Sequence, residues 1–477
     1  MGSRSRPTRL KLASVTLSQI EDRLGPGISS DVLIKPDSGL HSRDRIFPLV
    51  RAFWSWIWQV LQSEASCRDV TQQLNALFAL SGRPPIDPSS TAYCQARAHI
   101  PMPVLEKALH ASACSAQSKA RPTTLLGSRP IRIVDGSCIR LADTPANREA
   151  FPRSTNQFNS QGFPLLKIIV LYCLSSGAVL ARACANITQH ELRLFVKLKE
   201  LFKPKDIIVG DRAYGSYVIA AWLKERQCDL VARLSTIGRE VDYRRAKRRL
   251  GKEDGIFEWE KSRSKRSTLI EAREWDALPE WIEVRIIRTK IRRAGFRTRR
   301  LTVMTTLLDP ELYPAQEILE AYLRRWRVEM CLDDLKTSLG MENLRGRSPA
   351  MVERELLVYL CAYNLLRWVM ACAARQGDVD LSRISFVGAL DGFRRWATAM
   401  AMAKGKGRRK CVNRMWRSML ATLARDLVIE RPGRQEPRAV KKRPKYPYLN
   451  KPRSRYVERP SRNKRRRISN AKRKSSS

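Results

Sequence analysis

With 477 residues and 43% hydrophobic content, the chain can bury sizeable cores and has room for roughly two to four domains. A formal net charge of +44 (pI ≈ 10.6) excludes a surface of balanced charge, and self-repulsion of that size is relieved by a polyanion. Nucleic acid is therefore the expected partner. An anionic membrane is the weaker alternative, because no basic amphipathic helix with a clean apolar face stands out. The eleven cysteines include no Cys-x-x-Cys pair and the four histidines show no zinc spacing, which argues against a zinc site or disulfide framework and for a reducing cytoplasm. The first forty residues are polar and charged, so no secretory signal is read there. The longest uncharged stretch, Ile168 to Ala181, is too short to span a bilayer and is broken by Ser175-Ser176-Gly177, so a soluble protein without membrane association is expected.

In chain order, residues 1–45 read as a flexible N-terminus. Residues 46–128 read as a helical domain: Trp54, Trp56 and Trp58 crowd a core segment, and Ser66 caps a helix through Leu80 that Gly82 closes. Two shorter helices follow, Thr91 to Ile100 and Val104 to Ser115, whose tight connection is compatible with a DNA-reading helix-turn-helix and equally with an ordinary helical hairpin.

Residues 129–375 change character. Ile131 to Leu141 is an apolar strand with Asp135 embedded in it. Leu165–Leu174 and Ala178–Ala185 form a hairpin about Ser175-Ser176-Gly177, and a helix covers Gln189 to Leu201. Ile207 to Val209 is a buried strand leading to Asp211, Tyr217–Arg226 is helical, and Asp229–Leu234 is again a strand. Antiparallel strands followed by βα units predict an α/β sheet covered by helices. Residues 236–300 carry twenty Lys/Arg against eleven Asp/Glu and alternate like strands, which reads as a β-rich insertion before the strand Leu301–Leu308. One uninterrupted helix is predicted from about Pro314 to Gly340, since no Gly or Pro falls between Ala315 and Leu339 and Gly340 suits the C′ position. A long apolar helix covers Val352 to Ala374, and residues 376–430 are a shorter helical region. Residues 431–477 hold nineteen Lys/Arg against two Asp/Glu among six prolines, the composition of a disordered basic tail whose DNA binding is salt-sensitive and sequence-independent.

The chemistry rests on acids. Asp135 and Asp211 stand in apolar strands, where a carboxylate is costly unless paired or metal-bound, and Arg132 and Arg212 are adjacent as possible partners. At 100° per residue, Tyr322, Arg325, Glu329 and Lys336 fall within an arc of about 60° on one helix face. Such a face can grip a phosphodiester and hold a metal against it, or be a solvated edge with i,i+4 ion pairs. Asp333 shares that edge, and helical arithmetic alone does not choose between it and Glu329. No phosphate-binding Gly-rich loop, Gly-x-Ser-x-Gly elbow or Cys/His dyad is apparent. A metal-dependent phosphodiester chemistry, carried by two divalent ions about 3.5–4 Å apart, needs only such carboxylates.

The order Tyr322-x2-Arg325-x3-Glu329-x6-Lys336, following Asp135 in Val-Asp-Gly-Ser and Asp211 in Gly-Asp-Arg-Ala-Tyr, resembles the signature of the IS4 family of insertion-sequence transposases. The resemblance covers about Ile131 to Ala374 well and Phe47 to Ser115 more loosely. It implies an RNase H-like catalytic core with a β-rich insertion before the glutamate helix and an N-terminal domain that reads terminal inverted repeats. It implies cut-and-paste transposition with Mg²⁺ or Mn²⁺, two ions per site held by Asp135, Asp211 and Glu329, with Tyr322, Arg325 and Lys336 on phosphates of double-stranded DNA. Water would cleave at the element's 3′ end, the freed 3′-OH would form a hairpin on the opposite strand, and after opening it would attack target DNA. Synapsis of two ends implies a homodimer acting on the nucleoid of a bacterial cytoplasm. One departure concerns the hairpin: a relative has a tryptophan in the strand before the glutamate helix that receives a flipped base, and Leu301 stands at the best-matching position here, with Trp259, Trp275 and Trp281 as candidate substitutes. The alternatives are another RNase H-like nuclease and a basic DNA-binding protein without chemistry.

Overall fold

The structure is a computed structural model that describes residues 23–428 apart from 29, 35–37, 40, 42–45, 63, 81, 153–161, 235–240, 264–265, 292–299 and 404–405; the basic tail 431–477 lies outside the described residues. Four helices open it: α1 (Leu49–Leu61), α2 (Cys67–Leu80), α3 (Thr91–His99) and α4 (Met102–Lys119). Trp54 and Trp56 are buried in α1, as the aromatic crowding predicts. Ser66 and Asp69 cap α2 reciprocally, the Ser66 amide donating to Asp69 at 2.7 Å and the Asp69 amide to Ser66 Oγ at 3.2 Å. The flexible N-terminus needs correcting in part. Two 3₁₀ turns, Gly25–Gly27 and Ser30–Leu33, seat Leu24, Ile28 and Leu33 in the main core, because enough apolar side chains recur there to anchor the segment.

The strand β1 (Ile131–Leu141) is the axis of the sheet. After the short helix α5 (Pro145–Ala150), the hairpin β2 (Leu165–Cys173) and β3 (Val179–Asn186) adds antiparallel strands on one side of β1. On the other side β4 (Ile207–Gly210) and β5 (Asp229–Arg233) run parallel to β1, reached through α6 (Glu191–Val196) and α7 (Tyr217–Lys224). The helix predicted over Gln189 to Leu201 is thus shorter, continued only by a 3₁₀ turn at Lys199–Leu201.

The β-rich insertion is not set apart from this sheet but extends it. Strands β6 (Arg248–Gly251) and β7 (Asp254–Glu260), helix α8 (Ala272–Ala277), then β8 (Trp281–Lys290) and β9 (Arg300–Thr305) place β9 antiparallel against β5. The order is β3-β2-β1-β4-β5-β9-β8-β7-β6, and β10 (Asn343–Leu344) pairs with the end of β1. Alternation along the strands builds two cores. Ile131, Ile133, Val209, Val231 and Val303 face one, and Val134, Ile169, Ile208 and Ala232 face the other with Leu192, Trp222 and Trp275.

The first core is covered by α9 (Ala315–Leu323), α10 (Trp326–Asp333) and the 29-residue α11 (Pro349–Gly377), with α12 (Phe386–Met402) and α13 (Arg408–Leu423) outside them. By length and composition α11 could cross a membrane, yet 89% of its most apolar window is buried within the protein. It carries polar groups to fasten the hairpin: Asn364 takes the Val179 amide at 2.8 Å and gives to its carbonyl at 2.9 Å, Tyr363 Oη donates to Gly177 O at 3.0 Å, and Arg367 Nε donates to Ser176 O at 2.9 Å. Gly177 has φ +67°, and a Cβ there would lie 2.5 Å from the Arg367 guanidinium, so the turn needs glycine twice over. Helix α4 packs along α11, which makes the α3–α4 pair a supporting hairpin of the core.

The expected single helix from Pro314 to Gly340 is three pieces. Tyr322, Arg324 and Arg325 carbonyls accept from residues three positions on (Arg325, Arg327 and Val328, at 3.0, 3.0 and 2.9 Å), tightening the chain between α9 and α10. After Asp333 the chain widens into a π turn, Asp334–Ser338. Gly340 does close the run with φ +80°, and the Met341 amide reaches back to Leu335 O at 3.1 Å.

Candidate active site

Asp135 and Asp211 come together through the register of β1 and β4. Ile133 pairs with Val209, the last pair between the two strands, and each acid lies two residues further on, Asp135 within β1 and Asp211 just past the end of β4. Neighbouring strands are about 4.8 Å apart, so this register sets the two acids close to one another. Asp135 Oδ1 accepts the Gly136 amide at 2.9 Å, and Asp211 Oδ1 accepts the Ala213 amide at 2.8 Å in a turn that ends the strand. Helix α10 packs on β1 and brings Glu329 to the strand acids.

Burial pushes the Asp135 carboxyl up to about 6; the Gly136 amide and Arg325 oppose this, and the charges of Glu191 and Glu329 add to it. The charge of Asp211 is felt at Glu191, Tyr214 and Tyr322. Burial likewise raises Tyr322, with Arg325 and Arg233 acting the other way. The structure therefore brings Asp135, Asp211, Glu329, Tyr322 and Arg325 into one site. Lys336 lies in the π turn beyond α10, where its ammonium makes no hydrogen bond or ion pair among the described residues.

The helix face is engaged with itself. Arg325 Nη2 bonds Glu329 Oε1 at 3.0 Å and its guanidinium stands 5.9 Å from the Tyr322 ring centroid. Among the described residues no three Asp, Glu, His or Cys side chains are close enough to hold a metal ion; the acids converge while Glu329, 52% exposed, is held by Arg325. The donors are carboxylate oxygens alone, the set that suits hard cations such as Mg²⁺ or Mn²⁺. A desolvated carboxylate among like charges, as at Asp135, is also what a divalent cation relieves.

Sequence reasoning missed three residues here. Glu191 opens α6 with its carboxylate over Gly136, Tyr214 donates its hydroxyl to Glu191 Oε1 at 3.1 Å, and Arg233 ends β5 within reach of Tyr322. No spacing rule links Glu191 to the strand acids; only the fold does. The tryptophans considered as base traps lie away from this site. The site is at the middle of β1 and the Gly210 end of β4, level with the Lys290 and Arg300 ends of β8 and β9, whereas Trp281 and Trp259 sit at the other end of their strands and Trp275 is buried on α8. Leu301 is buried in β9.

One acid within β1, one just past the end of β4 and a third on the helix packed against β1 are gathered here, and comparison with known proteins gives the family. Residues 126–365 match the transposase DDE domain, and the chain belongs to that family. Within it the chain is similar to the IS4 transposases: it is 26% identical over 453 residues to the transposase InsG of insertion sequence element IS4 from Escherichia coli K12, spanning 90% of this chain and 93% of that protein. A shorter stretch of 89 residues is 35% identical to the probable transposase of element IS5377 from Geobacillus stearothermophilus, covering 19% of this chain and 23% of the relative. Among solved structures, the piggyBac transposase synaptic complex with hairpin DNA aligns over 86% of this chain and 84% of its own, with a TM-score of 0.40 and 10% identity.

Proposed function

We propose that this transposase binds the terminal inverted repeats of an insertion sequence and moves it by cutting and joining DNA phosphodiesters, with divalent cations held by Asp135, Asp211 and Glu329. The observation that carries the reading is the register Ile133–Val209, which brings Asp135 and Asp211 to neighbouring positions beside the strand on which α10, the helix of Glu329, packs. An RNase H-like core is supported by three antiparallel strands followed by two parallel ones, ordered β3-β2-β1-β4-β5. Bound Mg²⁺ or Mn²⁺ would supply Lewis-acid stabilisation of the phosphodiester oxygens and lower the pKa of a nucleophilic water or 3′-OH.

The chain's own residues do the rest. Asp135 is fixed by its strand and by the Gly136 amide, so it presents its second oxygen in a constant direction. Arg325 releases Glu329 when a phosphate takes its guanidinium, which couples DNA binding to completion of the acid set. Tyr322 orients that guanidinium, and Lys336 takes a phosphate further along. The described N-terminal helices, residues 46–128, are the candidate reader of the ends, and the tail adds sequence-independent affinity that falls by roughly 0.9 log units per phosphate contact per log unit of salt. Synapsis of two ends makes the working form a homodimer. Hairpin formation is part of this reading, without a base trap among Trp259, Trp275 and Trp281.

The test is Mg²⁺-dependent cleavage of linear DNA bearing the element's ends. Asp135→Asn, Asp211→Asn or Glu329→Gln abolishes cleavage while end binding persists, and normal cleavage by one of them removes that residue from the set. A pre-cleaved 3′-OH end with a target plasmid then separates strand transfer from simple nuclease action.

A further inference from the structure

Arg324, Arg327, Val328 and Cys331 form one wall of a cavity of about 610 Å³, while Arg325 and Glu329 of the same segment stay outside it. The turn at Gly177, Arg367 of α11 and the start of α12 supply the other walls, and Met330, Val387 and Val428 stand exposed at its rim. Six cations line this space against three acids. The acids are occupied or weakened. Thr337 Oγ1 donates to Asp333 at 3.0 Å, the Ser382 amide donates to Asp380 at 2.7 Å, and burial pushes the Asp334 carboxyl up to about 7.

Two of the cations lack a counter-ion. Arg327 is half-buried, and its guanidinium makes no hydrogen bond or ion pair among the described residues. Burial and the like charge of Arg324 hold its pKa below the usual guanidinium value, against the more distant Asp380 and Glu320. Glu320 is already paired with Arg324 at 2.9 Å. Arg367 is buried with its Nε on the Ser176 carbonyl at 2.9 Å, and no carboxylate among the described residues lies within ion-pair distance of it. A desolvated cation without a partner is costly, and an anion entering between the two guanidinium groups removes that cost.

We propose that this cavity is an anion site separate from the acids, in which Arg327 and Arg367 take a phosphate group of an unpaired DNA strand. The inference rests on the reading that the chain acts on DNA. Planar guanidinium forks match phosphate oxygens, and a chain of net charge +44 meets phosphate chiefly as nucleic acid. The volume is that of a site for one small ligand, so it admits a nucleotide-sized piece of a strand and not a duplex. The apolar rim of Met330, Val387 and Val428 suits the sugar and base that unpairing leaves uncovered. A strand held here is anchored on the other side of α10 from the Arg325–Glu329 pair.

The experiment is fluorescence anisotropy of a labelled oligothymidylate and of a labelled duplex on the full-length protein, in chelator and over a range of salt, with thermal melting of each variant without DNA. Arg327→Gln weakens single-strand binding by about tenfold and lowers its log affinity against log salt slope by about 0.7, while duplex affinity stays near the parental value. Arg327→Lys keeps the charge without the fork and recovers part of the loss. Without DNA, Arg327→Gln melts at or above the parental temperature, because it removes an uncompensated charge. A melt well below the parent makes the arginine structural and overturns the inference. Inorganic phosphate is the second probe: if it stabilises the parent more than Arg327→Gln while strand affinity stays parental, the occupant is free phosphate and the assignment to a strand is overturned. Parental single-strand affinity in Arg327→Gln, or an equal loss on strand and duplex, overturns this inference and leaves DNA binding standing. A parent that binds neither DNA overturns the reading beneath it as well.

Discussion

Asp135 and Glu329 are held in opposite ways. Asp135 stands on an interior strand of a ten-stranded sheet, with a neighbour paired on each side of its strand and its side chain half-buried. Glu329 stands on an eight-residue helix between a tightened turn and a π turn, 52% exposed and paired with an arginine four residues back. The sheet supplies fixed geometry at the cost of desolvating an acid, whereas the broken helix supplies an exposed acid that, in the function proposed above, passes from arginine to metal. A site built this way has a permanent half and a half completed on demand.

The largest effect comes from removing the permanent half. Asp135→Asn and Asp211→Asn each lower the rate of end cleavage by about a thousandfold or more, with end affinity unchanged in a gel-shift assay. Should Glu329→Gln prove far milder than either, the contrast would need redrawing, with the helix acid assisting rather than completing the set. Arg325 tests the handover. Arg325→Ala removes a charge-assisted contact of roughly 1.5–3 kcal/mol and slows cleavage by about tenfold to a hundredfold. Arg325→Lys keeps the charge without the planar fork and falls between the parent and alanine. If Arg325→Ala cleaves faster than the parent, the ion pair seen at 3.0 Å is inhibitory and has no phosphate role.

The contrast also explains what could be read in advance. Lone acids in β-branched strands are conspicuous because burial makes them expensive, and Asp135 and Asp211 were legible for that reason. The signature was legible as spacing and the segment as helical, yet its division into three pieces was not. Nothing at Arg324 or Arg325 announces the tightening, because no glycine or proline marks it. The 60° arc computed for a straight helix consequently misplaces Lys336, which the π turn carries on beyond α10. Glu191 could not have been found by pattern, since its part depends on a missing side chain at Gly136 and a phenol at Tyr214 that converge only in the folded sheet. Alternating strands in residues 236–300 were visible, but not that β9 would pair with β5 and make the insertion a continuation of the core.

If the permanent half owes its rigidity to α11, disturbing that helix should act on stability and not on the handover. Asn364 satisfies both backbone groups of Val179, at 2.8 and 2.9 Å, in a fully buried position. Asn364→Ala leaves those groups unpaired and lowers unfolding free energy by about 1–3 kcal/mol in a denaturant titration. Arg325→Ala, which breaks only a pair with the 52% exposed Glu329, changes it by much less, and equal losses in the two variants would remove the distinction between the halves.

The smallest effect separates the two halves by pH. Asp334, in the π turn behind Glu329, lines a cavity of about 610 Å³ with Arg324, Arg327 and Arg367. Burial pushes its carboxyl up to about 7; Arg367 opposes the shift and Asp333 adds to it. An acid whose folded pKa lies above its unfolded value of about 3.9 keeps its proton in the native state after the unfolded chain has released it. Its contribution is therefore fully present below about pH 3.9, declines as pH rises, and is gone above about 7. Asp334→Asn removes that slope, so the variant gains stability relative to the parent between pH 5 and 8. The gain is about 1 kcal/mol, because the cavity admits water and blunts the full linkage value. Melting temperatures at pH 5 and pH 8 measure it, and a difference between parent and variant that does not grow with pH would place the Asp334 proton elsewhere. Growth confined to Asp334→Asn, with a flat response in Asn364→Ala, would locate the pH sensitivity of the fold in the helix half of the site.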